Sequence, residues 1–168
     1  MPARIAINGF GRIGRAVYRI LADRSDVEIV GINDLTDNAT LAHLLKYDTV
    51  MGRFKGSVRI DGETLLAGRQ KTRMLAIPEP PKLPWKELGA EIVVESTGVF
   101  RKRAQLEGHL AAGAGRIILT VPSKDEIDAT IVLGVNEGSL KPEHKIVSNA
   151  SCTTNCLAPV AKVLHERF

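Results

Sequence analysis

The stretch Ala3–Arg24, ARIAINGFGRIGRAVYRILADR, leaves this chain few folds to choose from. Arg4-Ile5-Ala6-Ile7 reads as a buried strand, and Asn8 leads into Gly9-Phe10-Gly11-Arg12-Ile13-Gly14, which fits G-x-G-x-x-G. An amphipathic helix follows, with Ile13, Val17, Ile20 and Leu21 as its expected inward face. Each glycine has a separate mechanical task in this pattern. Gly9 permits the sharp turn, Gly11 lets the backbone approach a pyrophosphate, and Gly14 lets the helix pack closely on the strand. The open N–H groups at the helix start, with the positive end of its dipole, favour phosphate.

The motif alone is weak, because glycine turns are common, but its context is specific. Val27-Glu28-Ile29-Val30-Gly31-Ile32 forms a second apolar run that ends in Asn33-Asp34. Asp34 stands 20 residues beyond Gly14, where a doubly wound fold places an acid on the ribose. A glycine turn in an unrelated α/β protein is the competing reading. Strand, turn, helix and acid agree on a bound dinucleotide.

The rest of the chain continues the α/β rhythm with one interruption. Asn38–Tyr47 has Leu41, Leu44 and Leu45 at helical spacing, and Tyr47–Gly56 reads as a loop. Ser57–Ile77 carries a hairpin signal, with Val58 and Ile60, the turn Asp61-Gly62, then Leu65 and Leu66, and a further strand through Met74–Ile77. We expect a small antiparallel insertion there. Pro78–Pro84 (PEPPKLP) reads as a stiff surface connector rather than a PxxP ligand. Glu91–Glu95 is a buried strand ending in Ser96-Thr97-Gly98, Arg101–Ala112 a helix stopped by Gly113 and Gly115, and Arg116–Thr120 a strand ended by Pro122. Ala129–Leu133 and Lys145–Val147 add two strands. The expectation is a Rossmann-type doubly wound, mostly parallel sheet, which binds ligands at the carboxyl ends of its strands. Gly9–Gly14, Asp34, Ser96–Phe100, Thr120 and Ser148–Cys152 all fall at that edge.

Composition narrows the partners. Aromatic residues are only 4% and the basic residues are scattered, apart from Arg101-Lys102-Arg103, which argues against nucleic acid. A net charge of +4 suits small anionic ligands instead. The absence of a membrane-length apolar run or a signal-peptide pattern leads us to expect a cytoplasmic chain with no membrane partner. Cys152 and Cys156, four residues apart, suit neither a disulfide framework nor a zinc motif, so no metal is expected.

Those cysteines lie in the second informative block, Ser148-Asn149-Ala150-Ser151-Cys152-Thr153-Thr154-Asn155-Cys156. A strand, a polar turn and an amphipathic helix with Val160, Val163 and Leu164 place Cys152 at a helix N-terminus. There the dipole and open N–H groups favour a thiolate, which makes a covalent catalyst. The hydroxyls of Ser151, Thr153 and Thr154 suit an anion such as phosphate. The alternative is a buried structural cysteine behind a capping Ser or Thr, a reading we adopt for Cys156.

Taken together, NGFGRIGR at Asn8–Arg15, LKYDTVMGRF at Leu45–Phe54, ESTGVF at Glu95–Phe100 and SNASCTTNCLAP at Ser148–Pro159 resemble the glyceraldehyde-3-phosphate dehydrogenase family over the whole chain. The resemblance implies NAD as cofactor, with glyceraldehyde 3-phosphate and inorganic phosphate as substrates and Cys152 as the nucleophile of a thioester mechanism. It places Ser151 and Thr153 at substrate or phosphate, and Arg12 and Ile13 at the pyrophosphate. Asp34 falls at the adenosine ribose, Thr120 at the cofactor, and Ser96, Thr97, Gly98 and Phe100 along the same groove with Asn8, Phe10 and Asn33. Erythrose-4-phosphate dehydrogenase, a close relative sharing the cysteine block, is the alternative enzyme. An NAD-binding module without turnover is the alternative of another class.

Asp34 followed by Leu35 argues for NAD over NADP, since a carboxylate accepts a 2′-hydroxyl and repels a 2′-phosphate. Two departures stand out. Pro78 replaces an arginine that the family often places on the adenine side. The resemblance also implies a further catalytic domain, supplying a histidine base, whose positions would fall beyond Phe168. None of His43, His109, His144 and His165 matches that base. We therefore expect residues 1–150 to form the NAD-binding domain and 151–168 the first helix of a catalytic domain absent from this chain. The family is tetrameric, so a homo-oligomer is expected.

Overall fold

A computed structural model describes all residues, Met1–Phe168. Nine strands form one sheet in the order β3-β4-β5-β2-β1-β6-β7-β9-β8. In chain order they are β1 (Ala3–Asn8), β2 (Val27–Asn33), β3 (Val58–Asp61), β4 (Thr64–Ala67), β5 (Gln70–Leu75), β6 (Ile92–Glu95), β7 (Arg116–Leu119), β8 (Ala129–Thr130) and β9 (Ile146–Ser148). Only the β3–β4 and β4–β5 pairs are antiparallel. The six central strands, β5-β2-β1-β6-β7-β9, run in parallel as the third, second, first, fourth, fifth and sixth of two mononucleotide halves. Their direction of travel reverses between β1 and β6, which is where such a sheet opens a crevice.

Helices cover both faces. On one side α1 (Arg12–Leu21) and α2 (Asn38–Lys46) press Tyr18, Leu41 and Leu45 onto Ile5, Ile7, Ile29 and Ile32. On the other, α3 (Arg103–Ala111) buries Leu106 against Val93, Ile117, Leu119 and Ile146. Full burial of each such side chain stabilises the fold by about 1.5–3 kcal/mol. An extra residue in β2 at Val30, where Ile5 faces Ile29 but Ala6 faces Gly31, lets Ile29 and Ile32 point to the same face while Val30 joins the other.

Four expectations need correction. The inward face of α1 is Gly14, Val17, Tyr18 and Leu21, whereas Ile13 and Ile20 are exposed. The third strand of the hairpin region begins at Gln70 and ends at Leu75; it closes the antiparallel meander and also pairs in parallel with β2. The Pro78–Pro84 connector is not merely a surface loop. Pro80 and Leu83 are buried with Trp85, and a Cβ on Gly108 would stand 3.1 Å from Pro81, so this segment covers the sheet face where a crossover helix would lie. The strand expected over Ala129–Leu133 contracts to Ala129–Thr130.

The last element, α4 (Cys152–Arg167), buries none of its residues. Its stripe of Leu157, Val160, Val163 and Leu164 is exposed.

Candidate functional site

The glycine turn is built as its spacing implies. Gly9 adopts φ +90°, and a Cβ there would lie 2.6 Å from the Thr97 amide nitrogen, so only glycine lets the turn after β1 meet the turn after β6. A Cβ on Gly14 would stand 2.1 Å from the Gly9 carbonyl oxygen, which fixes how closely α1 packs on the strand. A Cβ on Gly11 would meet nothing within 4 Å. Gly11 is the N-cap of α1 and has no capping side chain, and the amides of residues 11–14 find no acceptor in the chain. Four donors at a helix start are therefore left without a partner.

Asp34 braces this turn. One carboxylate oxygen accepts from the Phe10 amide at 2.7 Å and the other from the Thr36 amide at 2.9 Å. Behind the turn Arg15 donates to the Phe10 carbonyl at 2.9 Å. Burial lowers the Arg15 pKa, opposed by the carboxylates of Asp48 and Asp34.

A cavity of about 430 Å³ opens here, within the size range of ligand pockets. It brings together Asn8, Gly9, Gly11, Asn33, Asp34, Ser96, Thr97 and Phe100 from the sequence reading, and adds Leu35, Ile77, Pro78 and Val99. Phe10 offers only its backbone, because its ring is buried edge-on against Tyr18. Arg12 and Ile13 stand exposed at the start of α1, outside the cavity wall, as does Gly98. Thr120, at the end of β7, donates from its hydroxyl to the Glu95 carbonyl at 3.2 Å. A larger cavity, about 570 Å³, lies elsewhere, on an apolar sheet face lined by Ile118, Leu133, Leu140 and Val147.

Cys152 lies further along the same sheet edge, after β9. Three strand steps separate β9 from β1, about 14 Å at 4.8 Å per step, a gap an extended dinucleotide bridges. Ala150 turns the chain from strand to helix with φ +60°, unusual for a residue with a side chain. Ser151 caps α4 by accepting from the Thr154 amide at 3.0 Å, and its hydroxyl also meets Thr153 Oγ1 at 2.9 Å. Asn155 clamps the turn, donating to the carbonyls of Asn149 and Ser151 at 2.8 and 2.9 Å. The amides of Cys152 and Thr153 are left without an acceptor. Cys152 is exposed, so the buried structural alternative does not hold for it. Nor does it hold for Cys156, which is exposed as well, against expectation, in a helix that buries none of its residues.

No histidine hydrogen-bonds Cys152. His43 lies against Tyr47, and His144 accepts from the Lys141 amide. His165 is on α4 itself, 13 residues and about 20 Å along it. His109 is fully buried and hydrogen-bonded to Trp85 and Glu95. The sequence reading missed Glu95 as a site residue. Its signal was available: a buried parallel strand, EIVVE, ends in a carboxylate that must find donors.

The parallel sheet, its switch point and the acceptor-free glycine turn define a dinucleotide-binding domain of the doubly wound class, and the residues present fit such a ligand. A family model described as glyceraldehyde 3-phosphate dehydrogenase, NAD binding domain, matches residues 3–103, and the chain belongs to that family. It is 58% identical over 168 residues to a glyceraldehyde-3-phosphate dehydrogenase of Thermotoga maritima, covering 99% of this chain and 50% of that protein. It is 52% identical to the enzymes of that name from Mycolicibacterium smegmatis and Geobacillus stearothermophilus, covering all of this chain and 52% and 50% of theirs. The chain spans about half the length of these relatives. No helix is long and apolar enough to cross a membrane.

Proposed function

We propose that this chain carries the cofactor groove and the nucleophile of an NAD-dependent dehydrogenase that converts glyceraldehyde 3-phosphate and inorganic phosphate to 1,3-bisphosphoglycerate. One observation carries the reading: an exposed thiol at a helix start shares a sheet edge with a glycine turn whose four amides lack acceptors. In this assignment the amides at Gly11–Gly14, with Arg12 and Ile13 beside them, hold the pyrophosphate. Asp34 receives the adenosine ribose, and Asn8, Asn33, Ser96, Thr97, Gly98, Phe100 and Thr120 shape the path toward Cys152. Phe10 contributes through its amide, which positions Asp34.

The Cys152 sulfur adds to the aldehyde carbon, and the open amides of Cys152 and Thr153 face the oxygen on which charge develops. NAD held in that groove would supply the acceptor for the hydride on that carbon. The acyl group then remains on Cys152 as a thioester. Attack by phosphate oxygen breaks the C–S bond, releases an acyl phosphate and returns the thiolate. Thr153 and the rim of Ser151 suit that phosphate. The proton acceptor is not among the four histidines, so we assign it to a part of the enzyme outside residues 1–168, with 151–168 forming the first helix of that catalytic domain. The exposed stripe of α4 suits packing there or in a homo-oligomer.

The test is NADH formation by the chain from NAD, glyceraldehyde 3-phosphate and phosphate, beside Cys152→Ser and an erythrose 4-phosphate arm, with NADH binding titrated in parallel. We expect NADH to bind and turnover to be lower than in a complete enzyme by about 10²–10⁴-fold, the usual worth of acid–base assistance. Binding with no turnover at all supports the second reading, a cofactor-binding module, which the absence of a histidine beside Cys152 favours. Loss of NADH binding refutes both.

A further inference from the structure

Beneath the groove runs a chain of buried polar side chains that the proposed chemistry does not use. Glu95 and His109 are both fully buried, and no lysine or arginine touches the carboxylate. The Trp85 indole N–H, which can only donate, points at His109 Nδ1 at 3.0 Å. That nitrogen must accept, so the ring proton sits on Nε2 and is donated to Glu95 Oε2 at 3.0 Å. Asn8 Nδ2 donates to the same oxygen at 2.5 Å. Glu95 Oε1 accepts from both the amide, at 2.9 Å, and the hydroxyl of Thr97. Asn8 Oδ1 in turn accepts from Asn33 Nδ2 at 2.7 Å, and Asn33 pairs in both directions with the backbone of Ile77.

Every donor and acceptor in this chain has one consistent role, so its direction is fixed. It joins α3 to the carboxyl ends of β6, β1 and β2, the segments that carry the groove. Val93, Leu106 and Leu119, on the same face of the sheet, show that this layer accepts aliphatic side chains. A buried carboxylate held only by neutral donors is expensive compared with an apolar core. Placement of the turns is what it offers in return.

Resting on the dinucleotide reading of the groove, we propose that Glu95 and His109 are positioning residues for the cofactor. Glu95, oriented by His109, sets the spacing between the glycine turn after β1 and the Ser96–Gly98 turn after β6. A Cβ on Gly9 would lie 2.6 Å from the Thr97 amide nitrogen, so the two turns are too close for one to shift without the other.

The experiment compares the 168-residue chain with Glu95→Gln, His109→Gln and Thr97→Val, by NADH titration and by amide hydrogen exchange without ligand. Glu95→Gln turns an NH₂ toward donors that need an acceptor. We expect NADH to bind at least about tenfold more weakly, a change of about 1.4 kcal/mol. Faster exchange should be confined to Gly9–Gly11 and Thr97–Val99. His109→Gln keeps an acceptor for Trp85 and a donor for Glu95, and should bind within about twofold of the parent. Thr97→Val removes one donor to Glu95 and also the acceptor of the Val99 amide, so the rise in exchange expected at Gly9–Gly11, across from the substitution, carries the test if Glu95→Gln does not fold. Unchanged NADH affinity in folded Glu95→Gln, or exchange that rises evenly or only in α3, overturns the proposal. If the parent itself does not bind NADH, the cofactor reading falls, and the exchange comparison still decides whether Glu95 places the turns.

Discussion

Gly11 and Gly14 belong to one motif, yet replacing each by alanine should damage different properties. A methyl on Gly14 would lie 2.1 Å from the Gly9 carbonyl oxygen and 3.0 Å from Ser96 Oγ. The first neighbour is backbone and cannot rotate away, so α1 must lift from β1. Overpacking of this kind costs about 3 kcal/mol or more, and the better helix propensity of alanine returns at most about 1 kcal/mol. A net loss of about 2–3 kcal/mol in a chain of this size lowers Tm by about 4–12 °C. Gly11 has φ −69° and no neighbour within 4 Å of the added methyl. Its replacement costs only the difference between glycine and alanine at an N-cap, about 1 kcal/mol or less. The methyl would instead stand in the groove, where the amides wait for an anion, and should weaken NADH binding by at least about tenfold. Thermal unfolding followed by circular dichroism and a fluorescence titration with NADH separate the two effects. A Gly14→Ala chain that melts with the parent would sink the packing argument. A Gly11→Ala chain with parental affinity would place the phosphates elsewhere.

Three further outcomes follow from other parts of the molecule. Burial pushes the Tyr18 phenol up to about 12, against a lowering hydrogen bond from Thr72, so the folded chain keeps it neutral where the unfolded chain ionises it. That stability is complete below pH about 10 and is lost as pH rises toward 12; Tyr18→Phe should be near-neutral at pH 7, its lost bond being a long 3.5 Å, and more stable than the parent by about 1 kcal/mol in urea titrations near pH 11. For Asp128, burial pushes the carboxyl up but is outweighed by the amides of Ile146 and Lys145 and the Arg103 guanidinium, which hold it at about 2. Its contribution, about 1 kcal/mol after screening, is present above pH about 4 and lost as pH falls toward 2, so the gap between parent and Asp128→Asn in urea midpoints should close over that window. The α4 stripe should drive concentration-dependent self-association in sedimentation, reduced by Val160→Glu with Leu164→Glu; a monomer at all concentrations would exclude it.

The first mononucleotide half was legible because its elements are strongly periodic and its turn chemistry is local. What sequence reading misjudged in α1 was the direction of its face. Gly14 and Tyr18 point inward, one for lack of a side chain and one despite its hydroxyl, so counting aliphatic residues put Ile13 and Ile20 in their place. The proline connector misled for the opposite reason. Its composition says surface, but Leu83 and Trp85 anchor it over an otherwise uncovered sheet face, a role without a periodic signature. Glu95 and His109 were hidden by distance: Asn8 and Glu95 meet across 87 residues, and no local pattern marks such a pair.

Helix starts show how the fold reserves its open donors. α1 to α4 each follow a parallel strand or its loop, so each begins toward the carboxyl edge, and location alone does not make a binding site. α2 is closed by Asp37, whose carboxylate accepts from the Thr40 amide. α3 is closed twice, by Gln105 accepting from the Lys102 amide and by Asp125 accepting from the Arg103 amide. α1 has a glycine where a capping side chain would stand, and in α4 the Ser151 hydroxyl satisfies Thr154 but not Cys152 or Thr153. Forgoing a cap costs about 1 kcal/mol of helix stability, and two of the four helices do without all or part of it. Those two start three strand steps apart on the same edge and carry, between them, the glycine turn and the exposed thiol. Adding a capping aspartate at position 11 would return the missing hydrogen bond and place a carboxylate where we assign the pyrophosphate, so the same substitution that steadies α1 should abolish NADH binding.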